Sequence, residues 1–165
     1  MPVISFLNQK GGSGKTTLAT NFATCVAQCG KRVLYIDADP QGSALDWSAA
    51  RSDKPLFPVV GLPKDTIHRE IEALSSPYDW TVIDGPPSRA NVAKSAIAAS
   101  DIVIIPVQPS PYDVWAAKDI VELIIEVRVL KPRLIALFAV NRKIAGTAIG
   151  RDVRKALESY ETVPV

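Results

Sequence analysis

A short segment near the start of the chain combines glycines, lysines and threonines in a pattern suited to holding phosphate. Residues 10–17 read Lys-Gly-Gly-Ser-Gly-Lys-Thr-Thr and directly follow an apolar run, residues 3–7. Glycines can adopt positive φ and turn successive backbone N–H groups onto phosphate oxygens, and the positive end of a following helix adds to the attraction. The layout predicts a nucleotide-binding loop formed by Gly11, Gly12, Ser13, Gly14, Lys15, Thr16 and Thr17.

The side chains of this loop have distinct expected tasks. Lys15 would place a positive charge at the β and γ phosphates, Thr16 would offer its hydroxyl to Mg²⁺, and Thr17 would contact the α-phosphate. The general pattern G-x-x-x-x-G-K-[ST] is incomplete, because Gln9 stands where its first glycine would fall. A second lysine, Lys10, lies inside the loop instead. Lys10 is either a functional residue that marks this form of the loop, a signature residue, or an ordinary solvated charge on the loop.

Acidic residues follow two further apolar runs. Asp37 and Asp39 come after residues 33–36, and Asp84 comes after residues 80–83. Ligands of open α/β sheets bind at the carboxyl ends of the strands, so these carboxylates are expected beside the loop. We expect Asp37 and Asp84 at Mg²⁺ and Asp39 at an attacking water. Acidic residues before Pro and Gly are also common in turns, and that structural role is the alternative for the first pair.

Three positions after strand ends add to the expected site. Gly85 would permit close approach of a phosphate. Asn141 and Arg142 follow the apolar run 134–140. The Asn141 amide could pair with the adenine edge, and Arg142 could stack or contact phosphate. An asparagine that simply begins a loop is the alternative for Asn141.

Apolar runs alternate with helical patterns along the chain, which predicts an α/β fold. The strand candidates are nearly continuously apolar, as strands covered on both faces are, and helical patterns lie between them. Strands are expected at residues 3–7, 33–36, 80–83, 102–107 and 134–140, and residues 56–60 could add a short one. Helices are expected at residues 15–29, 44–51, 64–74, 91–99, 114–130 and 148–159. Right-handed crossovers then give a mostly parallel, doubly wound sheet with helices on both faces.

Length and composition favour a single domain. The chain has 165 residues, of which 47% are hydrophobic and 22% charged, enough for a sizeable core. No apolar run is long enough to cross a bilayer and no secretory signal is visible, so a cytoplasmic protein is expected. Cys25 and Cys29 are interpreted as small buried residues in a reducing compartment, and His68 is given no role.

Charge is distributed unevenly along the chain. The segment 128–165 holds eight Lys and Arg residues against three Asp and Glu, whereas the whole chain has a net charge of +2. Such a basic segment could neutralise DNA phosphates without reading base sequence, or it could be an ordinary solvated surface. The basic residues concerned are Arg128, Lys131, Arg133, Arg142, Lys143, Arg151, Arg154 and Lys155.

Four segments together resemble the ParA family of partition ATPases, in its small plasmid-borne form with a deviant Walker A motif. The segments are residues 9–17, 35–43, 82–87 and 105–110, and the resemblance spans about the whole chain. It implies a P-loop ATPase that binds ATP or ADP with Mg²⁺, turns over slowly and forms a homodimer that sandwiches two nucleotides. In such a dimer Lys10 reaches the partner's phosphates, and residues 106–111 line the nucleotide and dimer face. By the same resemblance, Lys10, Lys15 and Asp39 are catalytic, and Thr16, Asp37 and Asp84 manage the metal.

The resemblance also implies partners and a location. We expect the ATP dimer to bind nonspecific DNA, to associate with the bacterial nucleoid, and to be stimulated by a centromere-binding adaptor of ParB-like or ribbon-helix-helix type. No membrane is expected. The single domain 1–165 is expected to lack both an N-terminal helix-turn-helix extension and a C-terminal strand and helix present in relatives.

Rival interpretations share the same phosphate loop. A MinD-like membrane-cycling ATPase would need a C-terminal amphipathic helix, and an iron-sulfur reductase would need cysteines at the dimer face. A metabolic synthetase of the same superfamily would need a pocket for a small carboxylated substrate. A nucleotide-dependent binding module with negligible hydrolysis is the nonenzymatic alternative.

Overall fold

The computed structural model describes residues 1–165 and contains one six-stranded parallel sheet. The strand order is β3-β2-β4-β1-β5-β6, and every neighbouring pair is parallel. The strands are β1 (Val3–Phe6), β2 (Val33–Asp37), β3 (Val59–Gly61), β4 (Trp80–Asp84), β5 (Ile102–Val107) and β6 (Ile135–Val140). The helices are α1 (Lys15–Gln28), α2 (Ser43–Ala49), α3 (Ile67–Ser75), α4 (Ala90–Ala99), α5 (Pro111–Arg128) and α6 (Ala148–Glu158). The predicted doubly wound α/β architecture is confirmed.

Two hydrophobic cores lie on opposite faces of the sheet, because successive side chains of a strand point to opposite sides. In β2, Leu34 and Ile36 join a cluster of 29 buried residues that is shared with α3, α4, α5 and α6. Val33 and Tyr35 join a second cluster of 9 buried residues, shared with α1 and α2. All five residues of β2 are therefore buried, as the continuous apolar run indicated.

Small boundary differences have local causes. The short strand β3 is Val59–Gly61 instead of residues 56–60. Phe57 lies before the strand because its ring stacks on that of Tyr35, with 5.9 Å between the ring centroids. Helix α5 begins at Pro111, three residues earlier than expected. Proline is favoured in the first turn because its fixed φ suits a helix and its missing N–H costs nothing there.

The prediction that Cys25 and Cys29 are buried is wrong, because both thiols are free and exposed. The buried stripe of α1 consists of Lys15, Ala19 and Ala23, which recur every four residues. Cys25 lies two residues, about 200°, beyond Ala23 and therefore faces away from the sheet. Cys29 caps the carboxyl end of the helix outside the packed turns.

The last residues of the chain pack beside the edge strand β6. Val163 is fully buried, and the Phe138 N–H donates to the Pro164 carbonyl at 2.8 Å. The Arg128 side chain donates to the carbonyls of Leu134 (3.1 Å) and Thr162 (2.5 Å). Arg128 thus fastens this segment to the fold. None of the helices has the length and apolar character needed to cross a membrane.

Gly85, directly after β4, is required by packing. A Cβ at this position would overlap the side chain of the buried Leu7 and lie 3.3 Å from the Phe6 carbonyl. Its own N–H donates to that carbonyl at 3.1 Å. The space left by the missing side chain is filled by Leu7, and Gly85 does not line the cleft described below. The expectation that it makes room for a phosphate is therefore wrong.

We expect Gly85→Ala to lower the free energy of unfolding by about 1–3 kcal/mol, the usual cost of overpacking a buried site. Gly11→Ala is the matched control, because Gly11 has no positive φ and a Cβ there meets no atom within 4 Å. The control should change stability by less than about 0.5 kcal/mol. Urea unfolding followed by circular dichroism measures both. Equal stability of the two variants would contradict the packing argument.

Candidate nucleotide-binding site

A polar cleft of about 250 Å³ lies at the carboxyl ends of the central strands. Its lining contains no hydrophobic residue and draws on the predicted loop, on the segments after β2 and β4, and on the end of β6. The lining residues are Gly11, Gly12, Gly14, Lys15, Thr16, Thr17, Asp39, Ser43, Pro87 and Arg142. Larger depressions of about 590 and 690 Å³ border α3 and α4 but contain no part of the loop. The smaller cleft is the candidate site because it has the phosphate-binding geometry.

Positive φ angles are found at two of the three loop glycines. Gly12 has φ 75° and Gly14 has φ 100°, as expected of this loop, whereas Gly11 does not adopt positive φ. Gly14 directly precedes α1, so the loop ends at the positive end of a 14-residue helix. Ser13 is fully buried and its hydroxyl has no hydrogen-bond partner.

Neighbouring loops hold the phosphate loop from outside. The Gln108 Nε2 group donates to the Gly12 carbonyl at 2.6 Å. On the other side, both the N–H (3.1 Å) and the hydroxyl (3.2 Å) of Ser88 donate to the Gln9 carbonyl. The segments that follow β4 and β5 thus set the loop's position. Sequence reasoning did not identify Gln108 or Ser88 as supports of the loop.

Asn141, the predicted adenine contact, supports the loop in this structure. Its Nδ2 group donates to the Ser13 carbonyl at 3.0 Å, and its Oδ1 accepts the Arg142 N–H at 2.9 Å. A Cβ on Gly14 would overlap the Asn141 amide, so this glycine is required for contact with β6 as well as for its positive φ. The structure places Arg142 at the cleft.

Lys15 lies within the cleft with its side chain largely enclosed. The residue is 6% exposed, and Nζ donates to the Lys10 carbonyl at 3.0 Å. Burial lowers the pKa of Lys15, and the nearby charges of Asp84 and Asp39 oppose that shift. A lysine that makes one hydrogen bond to a carbonyl keeps two donors for an anion.

Asp84 is a buried carboxylate whose oxygens have no hydrogen-bond partner. It is 1% exposed and lies opposite Asp37 in the register of β2 and β4. Burial raises the pKa of Asp84 to about 7; Asp37 adds to the shift, whereas the Thr16 hydroxyl and Lys15 oppose it. Buried polar atoms normally have partners, so these free oxygens beside Thr16 fit the water shell of Mg²⁺.

Asp37 makes several contacts to the backbone. Its Oδ2 accepts the N–H groups of Ala44 (2.9 Å) and Leu45 (3.2 Å), and its Oδ1 accepts that of Asp39 (3.1 Å). Burial raises the pKa of Asp37, and these backbone donors oppose the shift. Asp37 thereby fixes the start of α2. Its bond from the Asp39 N–H, two residues along the chain, fits the turn role given as the structural alternative. Of the two carboxylates Asp37 and Asp84, only Asp84 has side-chain oxygens that make no hydrogen bond.

Asp39 lines the cleft while taking part in a turn. Its Oδ1 accepts the Gln41 N–H at 3.0 Å, an arrangement typical of acidic turn residues. The residue is partly exposed and contributes charge near Lys15. Both the turn role and the placement expected for a residue facing an attacking water are therefore compatible with this geometry.

Lys10 points away from the cleft. Its Nζ lies 2.5 Å from Oδ2 of Asp113, which belongs to the first turn of α5. The Lys10 side chain is 38% exposed, whereas that of Asp113 is 1% exposed. Sequence reasoning missed Asp113. The signal was an acidic residue close behind the proline that begins a helix.

The parallel sheet, the glycine-rich loop before α1 and the enclosed lysine define a P-loop nucleotide-binding domain. Residues 4–165 match the family described as the CobQ/CobB/MinD/ParA nucleotide binding domain. The chain belongs to this family, and the resemblance inferred from the motifs is confirmed.

Curated relatives agree with the family. The chain is 32% identical over 159 residues to maintenance of carboxysome distribution protein A of Halothiobacillus neapolitanus, covering 94% of this chain and 73% of that protein. It is 34% identical over 161 residues to the chromosome-partitioning ATPase Soj of Thermus thermophilus, covering 79% of this chain and 65% of that protein. The chain therefore spans about two thirds to three quarters of the length of these relatives.

Solved structures share the fold. An ATP complex of a Cyanothece McdA variant superposes with a TM-score of 0.81 at 18% identity, over 99% of this chain and 82% of that one. Cobyrinic acid a,c-diamide synthase from Mycobacterium smegmatis with bound ADP and magnesium gives 0.79 at 20% identity, over 96% and 82%. The pNOB8 ParA bound to nonspecific DNA gives 0.71 at 21% identity, over 98% and 78%.

The raised pKa of Asp84 predicts a pH-dependent stability of the nucleotide-free protein. Between about pH 4 and pH 7 the folded state holds this proton and the unfolded state has lost it, so stability falls as pH rises. Asp84→Asn removes the effect. We expect its unfolding free energy to exceed that of the wild type by an amount that grows by about 2–4 kcal/mol from pH 4 to pH 8.

Urea unfolding in the presence of EDTA at several pH values measures this difference. Asp46→Asn, which replaces an exposed carboxyl on α2, is the control and should follow the wild-type pH profile. If Asp84→Asn and wild type keep a constant difference over the whole range, the carboxyl does not titrate as described.

Proposed function

We propose that this chain is the nucleotide-binding domain of a partition-type ATPase that binds Mg-ATP, dimerises on DNA and hydrolyses ATP slowly. The observation that carries the proposal is an enclosed Lys15 in the cleft together with Asp84, a buried carboxylate that makes no hydrogen bond and whose charge acts on Lys15 from behind the cleft lining. A cation and a buried carboxylate so placed suit a phosphate and the metal that accompanies it. Among solved structures with the same fold, the McdA variant is an ATP complex and the cobyrinic acid a,c-diamide synthase holds ADP and magnesium.

The proposed roles follow from where the residues lie. The loop backbone and Lys15 hold the phosphates, with Thr17 at the α-phosphate, and Thr16, Asp84 and Asp37 hold magnesium, which when bound neutralises phosphate charge. Asp39 orients the attacking water from its place at the cleft. Asn141 remains the proposed adenine contact, which requires its amide to leave the Ser13 carbonyl.

Dimerisation is proposed to complete the site through Lys10. This lysine pairs with Asp113 and does not line the cleft, so its charge is directed away from its own subunit's nucleotide site. A lysine supplied by the other subunit would link hydrolysis to assembly, because the charge arrives only when the dimer forms.

We expect Lys10→Ala to lower DNA- and adaptor-stimulated ATP turnover by about 100-fold, the scale of removing one transition-state charge contact. Binding of a fluorescent ATP analogue to the monomer should be nearly unchanged, because Lys10 does not line the cleft. Lys64→Ala, which removes an exposed lysine elsewhere, is the control. Equal stimulated turnover in Lys10→Ala and wild type would refute the cross-subunit role.

The DNA-binding surface is proposed to be smaller than the basic segment suggested. Arg128 is committed to backbone carbonyls, and Lys131 contacts the Ala98 carbonyl (3.3 Å) and Asp101 (3.7 Å). Exposed basic side chains on α6 and the loop before it remain, including Lys143, Arg151 and Lys155. The pNOB8 ParA, which has the same fold, is named as bound to nonspecific DNA.

We expect the triple variant Lys143→Ala, Arg151→Ala and Lys155→Ala to weaken ATP-dependent binding to duplex DNA of any sequence. The slope of log affinity against log salt should become shallower by about 2–3, because each neutralised phosphate contributes about 0.9. A triple variant at Lys31, Lys64 and Arg69 removes the same charge from other exposed positions and should bind like wild type. Unchanged affinity and slope in the α6 variant would place the DNA surface elsewhere.

We propose that the adaptor determines which cargo the ATPase moves. For this chain, the proposed adaptor is a centromere-binding protein that carries a plasmid. Relatives of this chain are named for chromosome partitioning and for carboxysome distribution. ATP turnover measured with and without duplex DNA, followed by cosedimentation on DNA with ATP or ADP, separates this proposal from its rivals. A membrane-cycling ATPase or a synthetase would give no ATP-dependent cosedimentation.

A further inference from the structure

The ion pair between Lys10 and Asp113 joins the nucleotide loop to the start of α5. Asp113 is a charged residue with 1% of its side chain exposed, and Oδ2 lies 2.5 Å from Lys10 Nζ. Its other oxygen, Oδ1, accepts the Gln108 N–H at 3.3 Å. A buried carboxylate is costly unless charged or hydrogen-bonding groups compensate it, and Lys10 supplies the full positive charge here.

The backbone around Lys10 is also fixed. Its N–H donates to the Asn8 side chain at 2.9 Å, and its carbonyl accepts Lys15 Nζ at 3.0 Å. The segment that carries Asp113 is tied to the same loop, because Gln108 Nε2 donates to the Gly12 carbonyl. Lys10, Asp113 and the phosphate loop therefore form one connected network of contacts. A nucleotide that draws the Lys15 side chain away from the Lys10 carbonyl would remove one hydrogen bond of this network.

We propose that Asp113 is a positioning residue that retains Lys10 within its own subunit until a second, nucleotide-loaded subunit competes for it. The inference rests on the proposed cross-subunit role of Lys10. On assembly, Lys10 exchanges one carboxylate for the partner's phosphates. A triphosphate carries more negative charge than a diphosphate and so competes better with Asp113 for Lys10, while the cost of leaving Asp113 raises the protein concentration needed for assembly.

Asp113→Asn removes the charge and keeps the shape and the acceptor for the Gln108 N–H. It should release Lys10, so that ATP-dependent dimerisation occurs at about tenfold lower protein concentration, equivalent to about 1.4 kcal/mol. Dimerisation with ADP should gain no more than dimerisation with ATP, because the cost of separating Lys10 from Asp113 belongs to the nucleotide-loaded monomer in both cases. Asp113→Glu retains a carboxylate at this position and should dimerise near the wild-type protein concentration, which a purely structural role of Asp113 would not predict.

The first measurement is amine labelling of the nucleotide-free protein, read residue by residue by mass spectrometry. Lys10 should label more slowly than the exposed Lys64 in wild type, and its rate should rise in Asp113→Asn while that of Lys64 stays constant. The wild-type comparison needs no variant and so remains decisive if Asp113→Asn does not fold. Equal labelling of Lys10 and Lys64 in wild type would overturn the proposal.

The second measurement is the dimerisation constant with ATP and with ADP, by analytical ultracentrifugation of wild type, Asp113→Asn and Asp113→Glu. ATP-dependent dimerisation of Asp113→Asn at the wild-type protein concentration would overturn retention of Lys10 by Asp113. Failure of the proposed function has a different signature. In that case Lys10 is protected and released as described, but Lys10→Ala keeps full adaptor-stimulated turnover.

Discussion

The site depends on the burial of a positive and a negative side chain that do not satisfy each other directly. Lys15 bonds to a carbonyl, and the oxygens of Asp84 make no hydrogen bond. Burial shifts both pKa values toward the neutral forms. A fold retains such groups only where other contacts offset the cost, and an anion with its metal removes the cost on binding.

The all-parallel sheet explains how one edge can carry these groups. Asp37 and Asp84 are register partners at the ends of β2 and β4. The strand that leads into the phosphate loop, β1, lies between β4 and β5 in the sheet. Because every strand runs in the same direction, the connections after β1, β2, β4 and β6 can all supply residues to one cleft. The two hydrophobic cores hold the strand ends in place, which lets the loops between them remain polar.

Contacts from separate strands convert the glycine loop into a fixed structure. Gln108 after β5, Asn141 after β6 and Ser88 after β4 each bind a carbonyl of residues 9–13. Asp113 adds the one ionic contact, through Lys10. These links connect the nucleotide site to the start of α5, where the exposed Tyr112 and Trp115 are in edge contact at 5.4 Å between ring centroids. A change in the loop on nucleotide binding can therefore reach the exposed surface at the start of α5 through these contacts.

The amino-acid sequence determined the elements and the loop by itself. Strand runs, the Lys-Gly-Gly-Ser-Gly-Lys-Thr-Thr segment and the acidic strand ends are local patterns whose physics acts within a few residues, and they predicted the fold and the cleft-lining Lys15, Thr16 and Asp39. Tertiary structure alone decided the contacts between distant segments. The Lys10–Asp113 pair spans 103 positions and the Asn141–Ser13 contact spans 128. Tertiary structure also packs Leu7 into the space beside Gly85, bonds Arg128 to the terminal segment and leaves Cys25 exposed to solvent. Such choices depend on which side chains fill a shared space, and no local pattern carries that information.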